Sequence, residues 1–298
     1  MRNVCLQYFV GEEAQASALG RMLNLTPECV ATHGFPDGEI IPRVPDVART
    51  VIAYRSLDRP DEKIVELLLA CDAWRRAGAA RLVLVAPYLC YMRQDAVFAP
   101  GEPVSQRVIG RVLGSAFDRI VTVDAHLHRT TRLDDLWPAA RWTDLHATAP
   151  IAAYLGAAPP PPDLLIVGPD VESAPWVAAL AAAIAREATT FRKHRQSDAA
   201  VSLDLAFSGA LRGRPVLLLD DICSSGGTLE AATSILARRG ANPIDIVVTH
   251  ALFAEAVRLR LIKAGARRIV SCDGCTHPTN AIGLAPVLAG ALQEEGEA

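Results

Sequence analysis

The stretch Val216-Leu217-Leu218-Leu219-Asp220-Asp221-Ile222-Cys223-Ser224-Ser225-Gly226-Gly227-Thr228 decides how this chain folds. Four consecutive apolar residues before two acids suit a strand covered on both faces. The acids stand at its C-terminal end, followed by a tight glycine-containing loop and a helix. Ser224 to Thr228 can turn backbone N–H groups and hydroxyls toward an anion at a helix N-terminus, where the dipole also favours negative charge. Asp220 and Asp221 repel a phosphate. They suit sugar hydroxyls, as acceptors, or a divalent cation. A loop that holds a phosphate beside acids that hold a diol describes a ribose-phosphate site.

Outward from this segment, strand-like runs alternate with helix-like runs. Strands are expected at Thr50–Tyr54, Arg81–Ala86, Arg119–Val123, Leu164–Gly168, Pro215–Leu219, Ile244–Thr249 and Arg268–Cys272. Between them, a helix from Asp61 to Arg76 places Ile64, Leu67, Leu68, Cys71 and Trp74 on one face. Another, from Thr228, buries Leu229, Ala232, Ile235 and Leu236, with Gly240 as its stop. This alternation implies mainly parallel sheets flanked by helices. In such sheets functional groups gather where strands end. Those ends read Pro87-Tyr88, Asp124-Ala125-His126, Pro169-Asp170, Asp220-Asp221 and His250, which suggests two similar sheets with polar rims. A helix over Ala149–Leu155 precedes the proline run of 157–162, so a boundary is expected near Leu145–Thr148.

Composition sets the limits. The chain has 298 residues, 51% hydrophobic and 5% aromatic, so aliphatic, alanine-rich cores are expected. A net charge of −3 gives no electrostatic case for nucleic-acid binding. No apolar run approaches a membrane span, and the start lacks a signal-peptide pattern. Seven scattered cysteines fit reduced thiols in a cytoplasm better than a disulfide framework. Lysine occurs only at Lys63, Lys193 and Lys263, which draws attention to Lys193 within Phe191-Arg192-Lys193-His194-Arg195-Gln196.

Four segments, in order, carry a family resemblance. The loop of Asp220-Asp221 to Thr228 resembles the PRPP-binding motif of type I phosphoribosyltransferases and of ribose-phosphate diphosphokinases (PRPP synthetases). Tyr88-Leu89-Cys90-Tyr91-Met92-Arg93-Gln94-Asp95, Phe35-Pro36-Asp37-Gly38-Glu39 and Thr122-Val123-Asp124-Ala125-His126 resemble further motifs of the diphosphokinases. A simple phosphoribosyltransferase would account only for the second half. The resemblance implies two phosphoribosyltransferase-type domains, 1–146 and 147–284, with the tail 285–298 returning to the first. It also implies Mg²⁺, ATP and ribose 5-phosphate as partners, a homodimer or homohexamer, and transfer of diphosphate to give PRPP and AMP.

The same resemblance assigns roles. Ser224, Ser225, Gly226, Gly227 and Thr228 would hold the 5-phosphate, and Asp220 and Asp221 the ribose hydroxyls. Arg93, Gln94 and Asp95 would take ATP, a guanidinium fork being suited to phosphate. Phe35, Asp37 and Glu39 would reach the adenine from a neighbouring subunit. His126 falls to the ATP side and, with Asp170, to Mg²⁺; oxygen-seeking Mg²⁺ favours Asp170. His128 is an outer candidate. Lys193 and Arg195 would serve catalysis from a basic loop, with Arg192 and His194 as alternatives of register.

Two departures from the family pattern stand out, the first expected to matter more, since archaeal-type members tolerate the second. Val171-Glu172-Ser173 replaces the family's paired glycines after Pro169-Asp170, and Ser224 stands where many members carry an acid. A non-catalytic regulatory homologue and a PRPP-using phosphoribosyltransferase therefore stand as alternatives. Cys272-Asp273-Gly274-Cys275 with His277 resembles half a zinc site, and is more simply a strand-end loop.

Overall fold

The structure, a computed structural model, describes residues 3–127, 132–197 and 200–296. The chain forms two compact units. One comprises residues up to His146, Gly274–Thr276 and 283 onward; the other comprises Ala147–Asp273 and His277–Ile282.

In the first unit, chain order is β1 (Val4–Phe9), α1 (Glu13–Leu23), β2 (Pro27–Gly34), β3 (Ile40–Arg43), β4 (Thr50–Tyr54), α2 (Pro60–Arg76), β5 (Arg81–Val85), α3 (Ser105–Ala116), β6 (Arg119–Val123), α4 (Leu133–Leu136) and β7 (Arg141–Leu145). These strands make one seven-stranded sheet in the order β3-β2-β1-β4-β5-β6-β7. All neighbours are parallel except β2 and β3, which form a hairpin. The interior strands β4 and β6 are buried along their whole length, as helices on both faces require. Helix α2 starts with Pro60, whose missing N–H costs nothing there, and buries Ile64, Leu67, Cys71 and Trp74; Leu68 is only partly covered. The indole N–H of Trp74 finds the buried Gln7 Oε1 at 2.7 Å.

Helix α3 lies against Trp137 through Gly110. A Cβ there would come within 1.8 Å of the Trp137 ring. Gly110→Ala should therefore cost about 1–3 kcal/mol or more by overpacking. Calorimetric melting checks this, and an unchanged melting temperature would contradict the packing.

The second unit contains α5 (Thr148–Gly156), β8 (Leu165–Gly168), α6 (Ala174–Ile184), β9 (Glu187–Ser197), β10 (Ala200–Leu205), β11 (Val216–Cys223), α7 (Gly227–Arg238), β12 (Ile244–Ala251), α8 (Glu255–Ala264), β13 (Arg268–Cys272) and β14 (Asn280–Ile282). Its sheet runs β10-β9-β8-β11-β12-β13-β14, again parallel except for one hairpin, β9–β10. Helix α7 stops where expected, with Gly240 at φ +83° donating its N–H to the Ala237 carbonyl at 2.9 Å.

After β14 the chain rejoins the first unit through α9 (Ala285–Leu292) and a final 3₁₀ turn, Gln293–Gly296. There Glu295, with its side chain 2% exposed, accepts from Arg81 Nε at 2.7 Å and Arg119 Nη1 at 2.9 Å. Arg81, Arg119 and Arg141 are the first residues of β5, β6 and β7, so the turn fastens the N-terminal ends of three strands.

Two expectations are corrected. The basic run of 191–196 is not a loop: it lies inside β9, paired antiparallel with β10, Lys193 opposite Leu203 and Arg195 opposite Val201. An antiparallel edge ribbon tolerates charge because its faces can meet water, which parallel interior strands cannot. The strand carrying Asp220 is also longer than expected and runs on to Cys223.

Candidate active site

The lengthening of β11 positions the acids. Its pairing with β8 ends at Leu218, opposite Val167, while its pairing with β12 continues to Cys223. Asp220 and Asp221 thus sit on a strand that has outrun one neighbour, at the C-terminal rim of the sheet. Asp221 is buried, and the Ile222 N–H bonds its Oδ1 at 2.8 Å. The Asp220 carboxyl is pushed well above the usual carboxylate range by burial first, then by the charges of Asp221 and Asp170. Three carboxyls close enough to repel favour ligands that supply positive charge or hydroxyl donors.

The loop beyond turns tightly into α7. Gly226 takes φ +76°, and a Cβ on it would stand 2.3 Å from Val257 Cγ1, so only glycine fits without strain. Helix α7 begins at the next residue and has no side-chain cap, which leaves its first N–H groups to a ligand. Ser224, Ser225 and Gly227 are exposed and Thr228 half-buried. Arg260, on α8, was not found from the sequence. Its Nη2 donates to the Ser225 carbonyl at 2.6 Å, and its Nε pairs with Glu230 at 2.9 Å, bracing the loop from outside.

The turn after β8 brings Asp170 to the same rim. Asp170 Oδ1 accepts the Glu172 N–H at 3.1 Å, and its carbonyl accepts Ser173 Oγ at 2.6 Å. Ser173 packs so tightly over Gly168 that a Cβ there would meet its Oγ at 2.0 Å. The absent glycines are thus replaced by a serine-locked turn, and the Glu172 side chain is exposed rather than filling it.

In the first unit, Arg93, Gln94 and Asp95 follow β5. Gln94 Oε1 accepts from Ser105 Oγ, and the Gln94 carbonyl takes the Gln106 N–H at 3.2 Å, so the segment is tied to the start of α3. Arg93 is exposed and Asp95 half-buried. His126 follows the adjacent β6, its N–H bonded to the Asp124 carbonyl at 2.9 Å. Asp124, at φ +46°, also pairs with His146 Nδ1 at 3.1 Å. Asp144 is pushed up to about 6 by burial, with the nearby Asp124 adding to it, while it accepts the Ala125 N–H at 3.0 Å. Sequence reasoning missed His146 and Asp144, which hold the backbone that presents His126.

Phe35, Asp37 and Glu39 make the β2–β3 hairpin turn. The Phe35 N–H bonds the Glu39 carbonyl at 2.8 Å, Asp37 Oδ1 takes the Glu39 N–H at 3.1 Å, and Phe35 stacks edge-on with His33. Phe35 remains 43% exposed. This hairpin is at one edge of the sheet, and β1 and β4 separate it from β5 and β6. One copy of the chain therefore does not bring it beside Arg93 and His126 within that sheet. His128 lies outside the described residues, and so do the side chains of Lys193, His194 and Arg195.

Among the described residues no group of three or more His, Cys, Asp or Glu is arranged to hold a metal directly. His277 is engaged otherwise, with Nε2 at 2.9 Å from the Phe253 carbonyl and Nδ1 at 2.7 Å from Thr279 Oγ1. Asp170, Asp220 and Asp221 still supply the all-oxygen, like-charged setting that suits a hydrated Mg²⁺ whose other ligands come from substrate.

Such a fold is that of a protein with two phosphoribosyltransferase-type domains. Residues 9–116 match the N-terminal domain of ribose phosphate pyrophosphokinase, and residues 158–286 the phosphoribosyl transferase domain. A ribose-phosphate pyrophosphokinase of Methanopyrus kandleri is 33% identical over 261 residues, covering 87% of this chain and 88% of that protein. One of Pyrococcus abyssi is 35% identical over 257 residues, covering 85% of each. The phosphoribosylpyrophosphate synthetase of Mycobacterium smegmatis shares the fold over 99% of both chains, at TM-score 0.84 and 24% identity. The chain belongs to the ribose-phosphate pyrophosphokinase family.

Proposed function

We propose that the chain is a ribose-phosphate diphosphokinase, transferring diphosphate from Mg-ATP to the 1-hydroxyl of ribose 5-phosphate to give PRPP and AMP. The observation that carries this reading is the rim of the second sheet: paired aspartates beside an uncapped helix N-terminus with a glycine that no other residue can replace without strain. In it, the loop from Ser224 to Thr228 holds the 5-phosphate, and Asp220 and Asp221 accept from the 2- and 3-hydroxyls. Orienting the diol fixes the 1-hydroxyl for in-line attack on the β-phosphorus, with AMP leaving. Arg93, Gln94 and Asp95 hold the triphosphate, and His126 lies on the nucleotide side. Phe35, Asp37 and Glu39 serve the adenine of a neighbouring copy in a homodimer or homohexamer.

Magnesium, held by the phosphates and through water by Asp170 and Asp220–Asp221, would offset phosphoryl charge. Lys193 and Arg195 stabilise the transferring diphosphate, a task of positioning and positive charge rather than covalent chemistry. Lys193→Ala should therefore lower turnover far more than ATP affinity. Steady-state kinetics with unchanged turnover would remove Lys193 from that role.

The deciding assay combines the protein with Mg²⁺, ATP and ribose 5-phosphate and looks for AMP with PRPP. Nucleotide binding without AMP would indicate the regulatory homologue. Consumption of added PRPP with a base would indicate a phosphoribosyltransferase.

A further inference from the structure

The two sheets have the same strand order, each with its hairpin at one edge. Strand for strand, β1 stands where β8 stands, β4 where β11 stands, and α2 where α7 stands. The place in the first unit equivalent to the ribose-phosphate rim is therefore where β1 and β4 end and α2 begins.

That place holds a side-chain cluster for which the proposed reaction has no use. Glu12, 5% exposed, precedes α1 and accepts the Ser56 N–H on Oε1 at 2.8 Å. Arg55 Nη1 lies 3.6 Å from Glu12 Oε2, and Lys63 Nζ 4.0 Å from Oε1. Glu12 Oε2 is buried and has no hydrogen-bond partner among the described residues. Lys63, in the first turn of α2, also donates to the Ser56 carbonyl at 2.8 Å and to Asp58 at 2.7 Å. Arg55 also pairs with Glu66, which accepts from Thr32 as well. A backbone N–H, a guanidinium and an ammonium thus converge on one carboxylate.

The carboxylate is poorly held for so buried a group. Neither cation grips it with bidentate geometry, and burial pushes Glu12 up to about 7 against the pull of Arg55, Lys63 and the Ser56 N–H. The Ser56 N–H, Arg55 and Lys63 nevertheless surround this carboxylate as donors surround a bound anion, the chain having put its own anion there.

We infer that the first unit keeps a degenerate phosphate pocket, an oxyanion site made by the Ser56 N–H, Arg55 and Lys63 and plugged by the Glu12 carboxylate. The inference rests on the reading of the Ser224–Thr228 loop as a phosphate site. The group displaced is a single carboxylate, so the ligand is a small tetrahedral oxyanion, inorganic phosphate being the test case. The site accounts for a unit that shares the plan of its neighbour without holding a second ribose phosphate there: Arg55-Ser56 follows β4 where β11 carries its paired acids, Glu66 and Asp58 pair with Arg55 and Lys63, and Glu12 stands in for the phosphate.

The test is Glu12→Ala in the full chain, with melting curves in inorganic phosphate and in chloride at equal ionic strength. Wild type and Glu12→Ala/Lys63→Met share the same second-unit loop and subtract its contribution. The expected result is an extra phosphate-dependent rise of about 2–4 °C in Glu12→Ala, absent from the double variant. If Glu12→Ala does not fold in chloride, phosphate should restore folding, whereas Glu12→Gln, which keeps the shape and the neutral form that burial favours, folds in both. No extra rise, or no rescue, overturns the inference. A crystal of Glu12→Ala in phosphate separates the two readings. An anion at Ser224–Thr228 but not at Ser56 and Lys63 sinks the inference alone, and an empty Ser224–Thr228 loop sinks the proposed function.

Discussion

Gly226→Ala should reduce kcat/KM for ribose 5-phosphate about a hundredfold, the scale of an ångström-sized misplacement in a site built on positioning. The left-handed conformation at φ +76° costs an L-residue about 1–2 kcal/mol. The added methyl also meets Val257 Cγ1 at 2.3 Å, so α8 or the loop must move. Moving α8 disturbs Arg260, which holds the Ser225 carbonyl. Melting temperature should fall together with activity. Gly227→Ala provides the contrast. Its Cβ would have nothing within 4 Å and no positive φ is required, so stability should be unchanged and any loss confined to KM for the sugar phosphate. Steady-state kinetics and thermal melts of both variants check this. Similar melting temperatures for the two would show that Gly226 is not the conformational key of the loop.

Glu295→Ala should destabilise the first unit by about 3–5 kcal/mol, the usual penalty for removing one partner of a buried ion cluster. Among the described residues, Arg119, 1% exposed, would keep only the half-exposed Glu294 at 2.5 Å and Thr143 as partners. Burial alone would raise the Glu295 carboxyl, but hydrogen bonds from Arg81 and Arg119 hold it below the ordinary carboxylate value. A lowered pKa stabilises the fold above the unfolded-state value, and that contribution disappears as pH falls through the folded one. Wild type should therefore lose this part of its stability on acidification below about pH 4, and Glu295→Gln should show a weaker loss there. Denaturant melts at pH 7 and pH 3.5 measure both. Equal stability of wild type and Glu295→Ala at pH 7 would refute the clamp.

Much of the architecture was legible along the chain. The parallel strands Thr50–Tyr54, Arg119–Val123 and Arg268–Cys272 stand where their apolar runs place them, because an interior parallel strand must be apolar on both faces. The interior β1, Val4–Phe9, was not among the expected strands, and strands toward the sheet margins were not legible. Strand β2 reads Pro-Glu-Cys-Val-Ala-Thr-His-Gly, β7 is half-exposed and β14 has three residues, so no apolar run marks them. The basic run in β9 was read as a loop for the same reason: its charge hid a strand that pairing with β10 creates.

The sequence alone determined the local form of the proposed ribose-phosphate rim, because Asp220, Asp221 and the loop to Thr228 are contiguous and a strand, a turn and a helix N-terminus assemble from neighbours. Tertiary structure decided which distant groups support it or repeat it. Arg260 reaches Ser225 across 35 residues, Glu12 reaches Ser56 across 44, and Glu295 reaches Arg119 across 176. Each of these is a lone charged residue with no local signature. For Glu12 and Glu295 the meaning comes from burial, which removes water from a charge and forces it to find a partner wherever the fold provides one; exposed Arg260 takes its meaning from the Ser225 carbonyl that the packing of α8 brings within reach.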